Sequence, residues 1–235
     1  TWLDELDMRD NCMAWVCPVV DAFPDVQRRI NFPFVVSDYI DDQRFWDNDA
    51  ARRRALDRNY KFMEDCTDLA IANCQPVADR LAESGQTPLL VPNGIDIRDT
   101  PPIPAAEIAR LGDKIVGYVG NMNDRFDFDL VESLSRSRPD YQIVLIGKLS
   151  HTKQLARMQA LPNVHVLGVR RYEMARACIA AFDVAIVPHE RSDLSDRMNP
   201  LKMYVFRSLG VRVVTTDIAN LDDLRDEVAV ASTTD

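Results

Sequence analysis

No stretch of this chain approaches the ~20 consecutive apolar residues that a membrane-crossing helix needs. The opening Thr1-Trp2-Leu3-Asp4-Glu5 is acidic and has neither the basic nor the apolar region of a secretory leader. There is no initiating Met, which predicts a fragment or a processed chain. An excess of positive charge is also lacking, since 28 Lys and Arg face 37 Asp and Glu, for a net charge of −9. A surface that tracks nucleic-acid phosphates needs clustered Lys and Arg, so broad nucleic-acid binding is excluded. The local run Arg52-Arg53-Arg54 reads as a solvated helix face rather than a binding patch.

Paired cysteine motifs are missing too. Cys12, Cys17, Cys66, Cys74 and Cys178 are scattered, odd in number and without a C-x-x-C, which fits a reducing compartment and simple burial. His151, His165 and His189 lack metal-ligand spacing, so no metal site is read from them. No P-loop occurs, and Gly117-x-x-Gly120 is not a dinucleotide fingerprint. No Ser-His-Asp or Cys-His set follows from order alone, and no catalytic residue is assigned. Low-complexity segments and short repeats are absent.

What is present is an ordinary soluble composition, 46% hydrophobic and 28% charged, with enough apolar residues for a sizeable core. The second half alternates strand and helix. Apolar runs at 114–121, 141–146, 164–167, 183–187, 212–215 and 228–231 read as strands, most of them closed by Gly or Pro. Segments 127–134, 151–161, 172–182, 201–209 and 221–227 read as helices, the fourth capped by Gly210. Val- and Ile-rich strands without alternation are buried on both faces, as parallel strands are. Helical crossovers then imply right-handed β-α-β units in an open doubly wound sheet. Ligands of such sheets bind outside the carboxyl ends of the strands. Those ends are Gly120-Asn121, Gly147-Lys148, Gly168-Val169 and Pro188-His189.

The first half is similar but less complete, with strands at 13–19, 34–39, 69–72 and 89–91 and helices at 50–65 and 76–84. Between the halves lie Pro92-Asn93-Gly94-Ile95-Asp96 and Pro101-Pro102-Ile103-Pro104, a Pro-rich linker. The expected organisation is an α/β chain of two Rossmann-like domains, 1–91 and 106–235, joined by 92–105.

Four segments in order carry a family resemblance. They are Val91-Pro92-Asn93-Gly94-Ile95-Asp96; Val116-Gly117-Tyr118-Val119-Gly120 followed by Asp127-Phe128-Asp129-Leu130; Leu161-Pro162-Asn163-Val164-His165-Val166-Leu167-Gly168; and Asn199-Pro200-Leu201-Lys202-Met203-Tyr204. Together they resemble the two-domain (GT-B fold) glycosyltransferases, specifically the retaining group known as family 4. A fainter likeness reaches upstream to Val35-Val36-Ser37-Asp38-Tyr39-Ile40-Asp41-Asp42. Against that family the N-terminal, acceptor-side domain is expected to be incomplete, and the helices that follow the last C-domain strand are missing, so a trimmed or naturally short version is expected.

The resemblance implies a sugar transferred from a nucleoside diphosphate sugar to a glycan or lipid-linked acceptor, with retention and with no cofactor besides the donor. It implies a cytoplasmic protein, with the inner face of the membrane and peripheral membrane contact left open; no amphipathic basic helix supports that contact. It places the donor diphosphate near Gly120 and Asn121 and at the turn Asn199-Pro200-Leu201. Glycine lets backbone approach a phosphate, and a helix N-terminus offers free N–H groups and partial positive charge; the plainer alternative is that Gly120 only makes the turn. Arg125, Lys148 and Lys202 stand where the family's cations clamp the diphosphate, or are solvated loop charges. Val169 stands where the family's backbone meets the nucleotide base.

The chain departs from the family at two acidic positions spaced eight apart, where it carries Arg197 and Val205. A lost charged hydrogen bond to the ribose removes about 1.5–3 kcal/mol. Asp127-x-Asp129 spells a metal-binding D-x-D of another glycosyltransferase fold, but here reads as acidic charge at a helix start. A non-catalytic binding or assembly module therefore stands beside the enzyme reading, and a sugar-nucleotide epimerase is a third.

Overall fold

The computed structural model describes residues 5, 7–46, 49–97, 100–218, 221 and 224–231. The chain forms two compact units, one of residues 1–93 with 196–199, the other of residues 94–195 with 200–235.

The first unit holds β1 (Ala14–Val16), α1 (Phe23–Ile30), β2 (Val35–Tyr39), α2 (Ala50–Cys66), β3 (Leu69–Ala72), α3 (Gln75–Glu83) and β4 (Leu89–Leu90). The four strands are parallel in the order β1-β2-β3-β4. Asp49 caps α2, its carboxylate accepting from Ala51 N and Arg52 N at 2.7 and 3.1 Å. Tyr39, Tyr60, Met63 and Leu81 fill the core, each 2% exposed or less. The expected strand 13–19 shortens to Ala14–Val16, since Pro18 has no N–H to give a ladder. Helix α1 has no counterpart in the sequence reading. It starts with Pro24 in its first turn and stops where Asn31 turns left-handed, φ 55°, with its N–H on Gln27 O.

The second unit contains α4 (Ala106–Ala109), β5 (Ile115–Val119), α5 (Phe128–Ser137), β6 (Gln142–Ile146), α6 (Thr152–Gln159), β7 (Val164–Gly168), α7 (Tyr172–Ile179), β8 (Val184–Val187), α9 (Leu201–Ser208), β9 (Arg212–Thr216) and β10 (Ala229–Ala231); α8 (Asp193–Asp196) precedes α9. All its ladders are parallel, in the order β10-β9-β8-β5-β6-β7. Val144 and Ile146 enter one apolar cluster with Phe182, Met203 and Phe206, while Ile143 and Leu145 enter another with Tyr118, Phe126 and Met158. The sheet is thus covered on both faces, which is why its strands read as unbroken apolar runs.

Most second-unit elements fall within a few residues of their expected places. The helix expected to reach Phe182 ends at Ile179, because Ala181 N and Phe182 N bond three residues back and tighten the last turn. The helix expected over 221–227 is, among the described residues, a 3-10 turn, Arg225–Glu227; residues 222–223 lie outside the description. The short helices α4 and α8 were not expected from the sequence. No helix among the described residues is long and apolar enough to cross a membrane.

Candidate active site

In the second unit the strand order reverses between β5 and β8, where an open parallel sheet leaves a crevice at its carboxyl edge. β5 runs out into Gly120, whose N–H bonds Ile146 O at 2.9 Å and whose φ is 155°. Gly147, at the end of β6, packs so closely that a Cβ there would stand 1.8 Å from Gly120 O. Glycine at both positions lets the two strand ends approach, leaving bare backbone at the crevice floor.

The loop after Gly120 is tied to the neighbouring strand ends by backbone bonds. Met122 N reaches Lys148 O at 2.9 Å, Asp127 N reaches Pro188 O at 2.8 Å, and Glu190 N reaches Arg125 O at 2.8 Å. Phe126 and His189 form a bridge pair. Arg125 and His189 are therefore held at the same strand end.

Three side chains converge there. Tyr118, fully buried, donates its hydroxyl proton to Asn121 O at 3.0 Å and stacks edge-on with Phe126 at 4.8 Å. Lys202, in the first turn of α9, donates to Tyr118 Oη at 3.0 Å, lies 3.1 Å from His189 Nε2, and sits 4.7 Å over the Tyr118 ring. His189 is 2% exposed, and its Nδ1 has no hydrogen-bond partner among the described residues. With Lys202 as the donor, His189 Nε2 is the acceptor, which assigns the proton to Nδ1. A Cβ on Gly120 would meet Tyr118 Oη at 2.8 Å and Lys202 Cε and Nζ at 3.0 Å.

The electrostatics follow from burial without a counter-charge. Burial, and then the Arg125 guanidinium, lowers Lys202 to about 7. Burial, then Lys202 and Arg125, holds His189 well below the usual imidazole range, so it is neutral. Burial pushes the Tyr118 phenol upward. The hydrogen-bond partners of Lys202 among the described residues are thus a neutral phenol and a neutral imidazole. An anion there would favour the protonated form of Lys202 and would lie near the start of α9 and the half-buried glycine backbone.

Of the residues singled out in the sequence, Gly120, Arg125 and Lys202 come together here, with Asn121 contributing its carbonyl to Tyr118. Lys148 is exposed beyond β6 and gives its carbonyl to Met122. Val169 is 70% exposed just past β7, Leu201 is 49% exposed, and Pro200 is the N-cap of α9. Asn199 belongs to the first unit, where its Oδ1 accepts from Asn93 N at 3.0 Å and its carbonyl from Asn93 Nδ2 at 2.7 Å. Val205 is buried among Met203, Phe206 and Phe182, so it is a core residue. Tyr118 and His189 were absent from the sequence-derived site set. The ending Pro188-His189 of an apolar strand was the available signal for His189, while Tyr118 reads only as a core aromatic.

Asp127 caps α5 by accepting from Leu130 N at 2.8 Å, and Asp129 pairs with Arg157 at 2.6 Å. Among the described residues no group of three His, Cys, Asp or Glu side chains is placed to hold a metal. The five cysteines are free thiols.

No family model matches the chain. A curated relative, the "Putative teichuronic acid biosynthesis glycosyltransferase TuaH" of Bacillus subtilis (strain 168), is 21% identical over 113 residues, covering 47% of this chain and 28% of that protein. Among solved structures, Anabaena HepE in complex with UDP-glucose superposes with a TM-score of 0.69 at 14% identity, over 96% of this chain and 66% of that one. TarM matches with a TM-score of 0.72 at 16% identity, over 98% and 47%. The trehalose 6-phosphate synthase of Burkholderia multivorans matches at 0.68 and 13% identity, over 98% and 62%. The chain thus spans about half to two thirds of these neighbours, and little more than a quarter of the curated relative. Its two parallel α/β sheets and these likenesses together establish that the chain has the fold of the GT-B glycosyltransferases.

Proposed function

We propose that this chain is part of a glycosyltransferase that moves a sugar from a nucleoside diphosphate sugar to a glycan or lipid-linked acceptor, with retention of configuration. The observation that carries the proposal is Lys202, whose hydrogen-bond partners among the described residues are a neutral phenol and a neutral imidazole, beside the backbone of Gly120. The complex of HepE with UDP-glucose supports the choice of ligand.

In this reading Lys202 and Arg125 bind the diphosphate, with Gly120, Asn121 and the first turn of α9 offering backbone contacts. As the glycosidic bond breaks, negative charge gathers on the departing diphosphate, and a positioned cation strengthens its hold at that moment. The new acceptor oxygen attacks from the face the diphosphate leaves, and a diphosphate oxygen takes its proton. No protein nucleophile and no further cofactor is needed; the protein's share is alignment and charge stabilisation. Lys148 and Val169 complete the donor site at the ends of β6 and β7. A cytoplasmic location, at the inner membrane face where the acceptor is lipid-linked, belongs to the same proposal.

The test is calorimetric titration of the chain with UDP and GDP, free and as sugar conjugates. Saturable binding that weakens in Lys202→Ala by roughly one to two decades, the worth of a charge-assisted hydrogen bond, is the expected result. A second reading, a binding module without transfer activity, is favoured by Arg197 and Val205 at the family's acidic positions. A folded chain that binds none of these nucleotides would move the assignment to it.

A further inference from the structure

A lysine amine rides on a flexible four-carbon stem, so an amine that must meet a ligand at one point has to be held there. A carboxylate partner would hold it but would also take up its charge. A neutral acceptor holds it and leaves the charge for the ligand. Lys202 has two acceptors of the second kind. Tyr118 Oη stands at 3.0 Å from its amine and His189 Nε2 at 3.1 Å. The centre of the Tyr118 ring is 4.7 Å away. On a further side, the backbone of Gly120 comes so near that a Cβ there would be 3.0 Å from the same nitrogen.

Each acceptor is itself fixed. Tyr118 spends its one hydroxyl proton on Asn121 O at 3.0 Å, so toward Lys202 it can only accept. Its ring meets Phe126 edge-on in the core, which keeps the hydroxyl from swinging away. His189 is held by its backbone at the end of β8: its N–H reaches Val187 O at 3.0 Å, and its carbonyl accepts from Thr216 Oγ1 at 2.6 Å. Its imidazole stands edge-on to the Tyr118 ring, 6.5 Å between centres. Arg125, in the loop after β5, is the charged group whose field reaches Lys202, Tyr118 and His189 alike. Tyr118 is fully buried and His189 is 2% exposed, so neither has surface to offer a ligand. Whatever they do for one runs through Lys202.

We propose that Tyr118 and His189 are positioning residues of the donor site: as neutral acceptors they fix the Lys202 amine beside Gly120, and Tyr118 ties that amine to the loop carbonyl of Asn121, so that cation and loop are presented together to a diphosphate. The identity of the ligand rests on the transferase reading; the fixing of the amine does not.

The experiment compares the full chain with Tyr118→Phe, His189→Leu and His189→Gln. Tyr118→Phe keeps the ring and removes only the hydroxyl; His189→Gln offers an amide oxygen where His189→Leu offers nothing. Two quantities are read: UDP affinity by calorimetry below pH 7, and the titration of the Lys202 amine in the nucleotide-free protein, followed by its Cε resonance, which Lys202→Met identifies. Tyr118→Phe and His189→Leu are each expected to weaken UDP about fivefold to tenfold, the worth of one hydrogen bond. Both are expected to move the Lys202 titration to lower pH, because the ammonium loses an acceptor that favours the charged form. His189→Gln is expected to recover most of both effects. Should His189→Leu not fold, Tyr118→Phe carries the test. A folded Tyr118→Phe with affinity and titration both unmoved overturns the proposal. So does a loss of affinity with an unmoved titration, equal in Leu and Gln, since that is packing alone. A moved titration with unaltered UDP affinity overturns the role in the donor site. If the unaltered chain binds no UDP, the transferase reading falls and the donor role with it, while the Lys202 titration in Tyr118→Phe still decides whether the amine is held as described.

Discussion

Lys202 Nζ lies 3.1 Å from His189 Nε2, and burial keeps that imidazole uncharged. Lys202 itself is lowered to about 7. In the empty site at pH 8 the amine is therefore mostly neutral, while a bound diphosphate favours the ammonium. If the chain binds the donor as proposed, binding is expected to take up a proton and to weaken as pH rises through 7 and beyond. Titration of UDP from pH 6 to 9, in buffers of different ionisation heat, measures both effects; constant affinity with no proton uptake contradicts them.

The same shift has a consequence for stability. The unfolded lysine keeps its proton up to its ordinary range, so between about 7 and that range the unfolded chain binds more protons and stability rises with pH. The cost of burying the ammonium is full below pH 7. Lys202→Met is expected to raise the thermal midpoint of the empty protein at pH 6 and to raise it less at pH 9.

Gly120→Ala adds a methyl group 2.8 Å from Tyr118 Oη and 3.0 Å from Lys202 Nζ, at φ 155°. The lysine end is flexible and moves first, so donor affinity falls by about tenfold or more while the fold survives with a loss of roughly 1–3 kcal/mol. Calorimetry with UDP and a melting curve check the two parts separately. An unaltered UDP affinity in the folded variant would mean that Lys202 and Gly120 do not share a ligand.

Val205→Glu introduces the acid that the family resemblance implies at this position but places it among Met203, Phe206 and Phe182. A carboxyl buried there has its pKa raised above the unfolded value, so it destabilises little below the ordinary carboxyl range and fully above its own raised value. Melting curves are expected to show a deficit that is small at pH 4 and large at pH 8, with no gain in UDP affinity. Tighter UDP binding would show instead that Val205 faces the ribose.

Asp127→Ala removes the cap from α5 and is expected to cost about 1 kcal/mol, seen as a drop of a few degrees in the melting point. Both carboxylates of Asp127-x-Asp129 have tasks, one at Leu130 N and the other at Arg157. Chelation of divalent metal is therefore expected to leave UDP affinity unchanged. If chelator and Asp127→Ala both abolish binding, the motif is a metal site.

Residues 143–146 show why much of the fold could be read in advance. Alternate side chains of this strand enter separate cores on the two faces of its sheet, so the whole segment must be apolar, and a short unbroken apolar run closed by glycine is recognisable without neighbours. Elements with weaker local signatures escaped. Helix α1 ends on a left-handed Asn rather than Gly, and α4 and α8 are each four residues long, too short to show a period.

Local pattern by itself determined the α/β class and the parallel strands, and it pointed to strand ends such as Gly120 and Pro188-His189 as the place to look for ligand chemistry. It could not bring Lys202 to Tyr118, 84 residues away, or Asn199 to Asn93, 106 residues away. Those meetings depend on β8 lying beside β5, with β6 and β7 passing to the other side, and on residues 196–199 joining the first unit. Periodicity reports which face of an element is buried; which elements become neighbours is decided by crossovers and by how whole cores pack, and the tertiary structure alone sets the partners and the charge of a buried lysine.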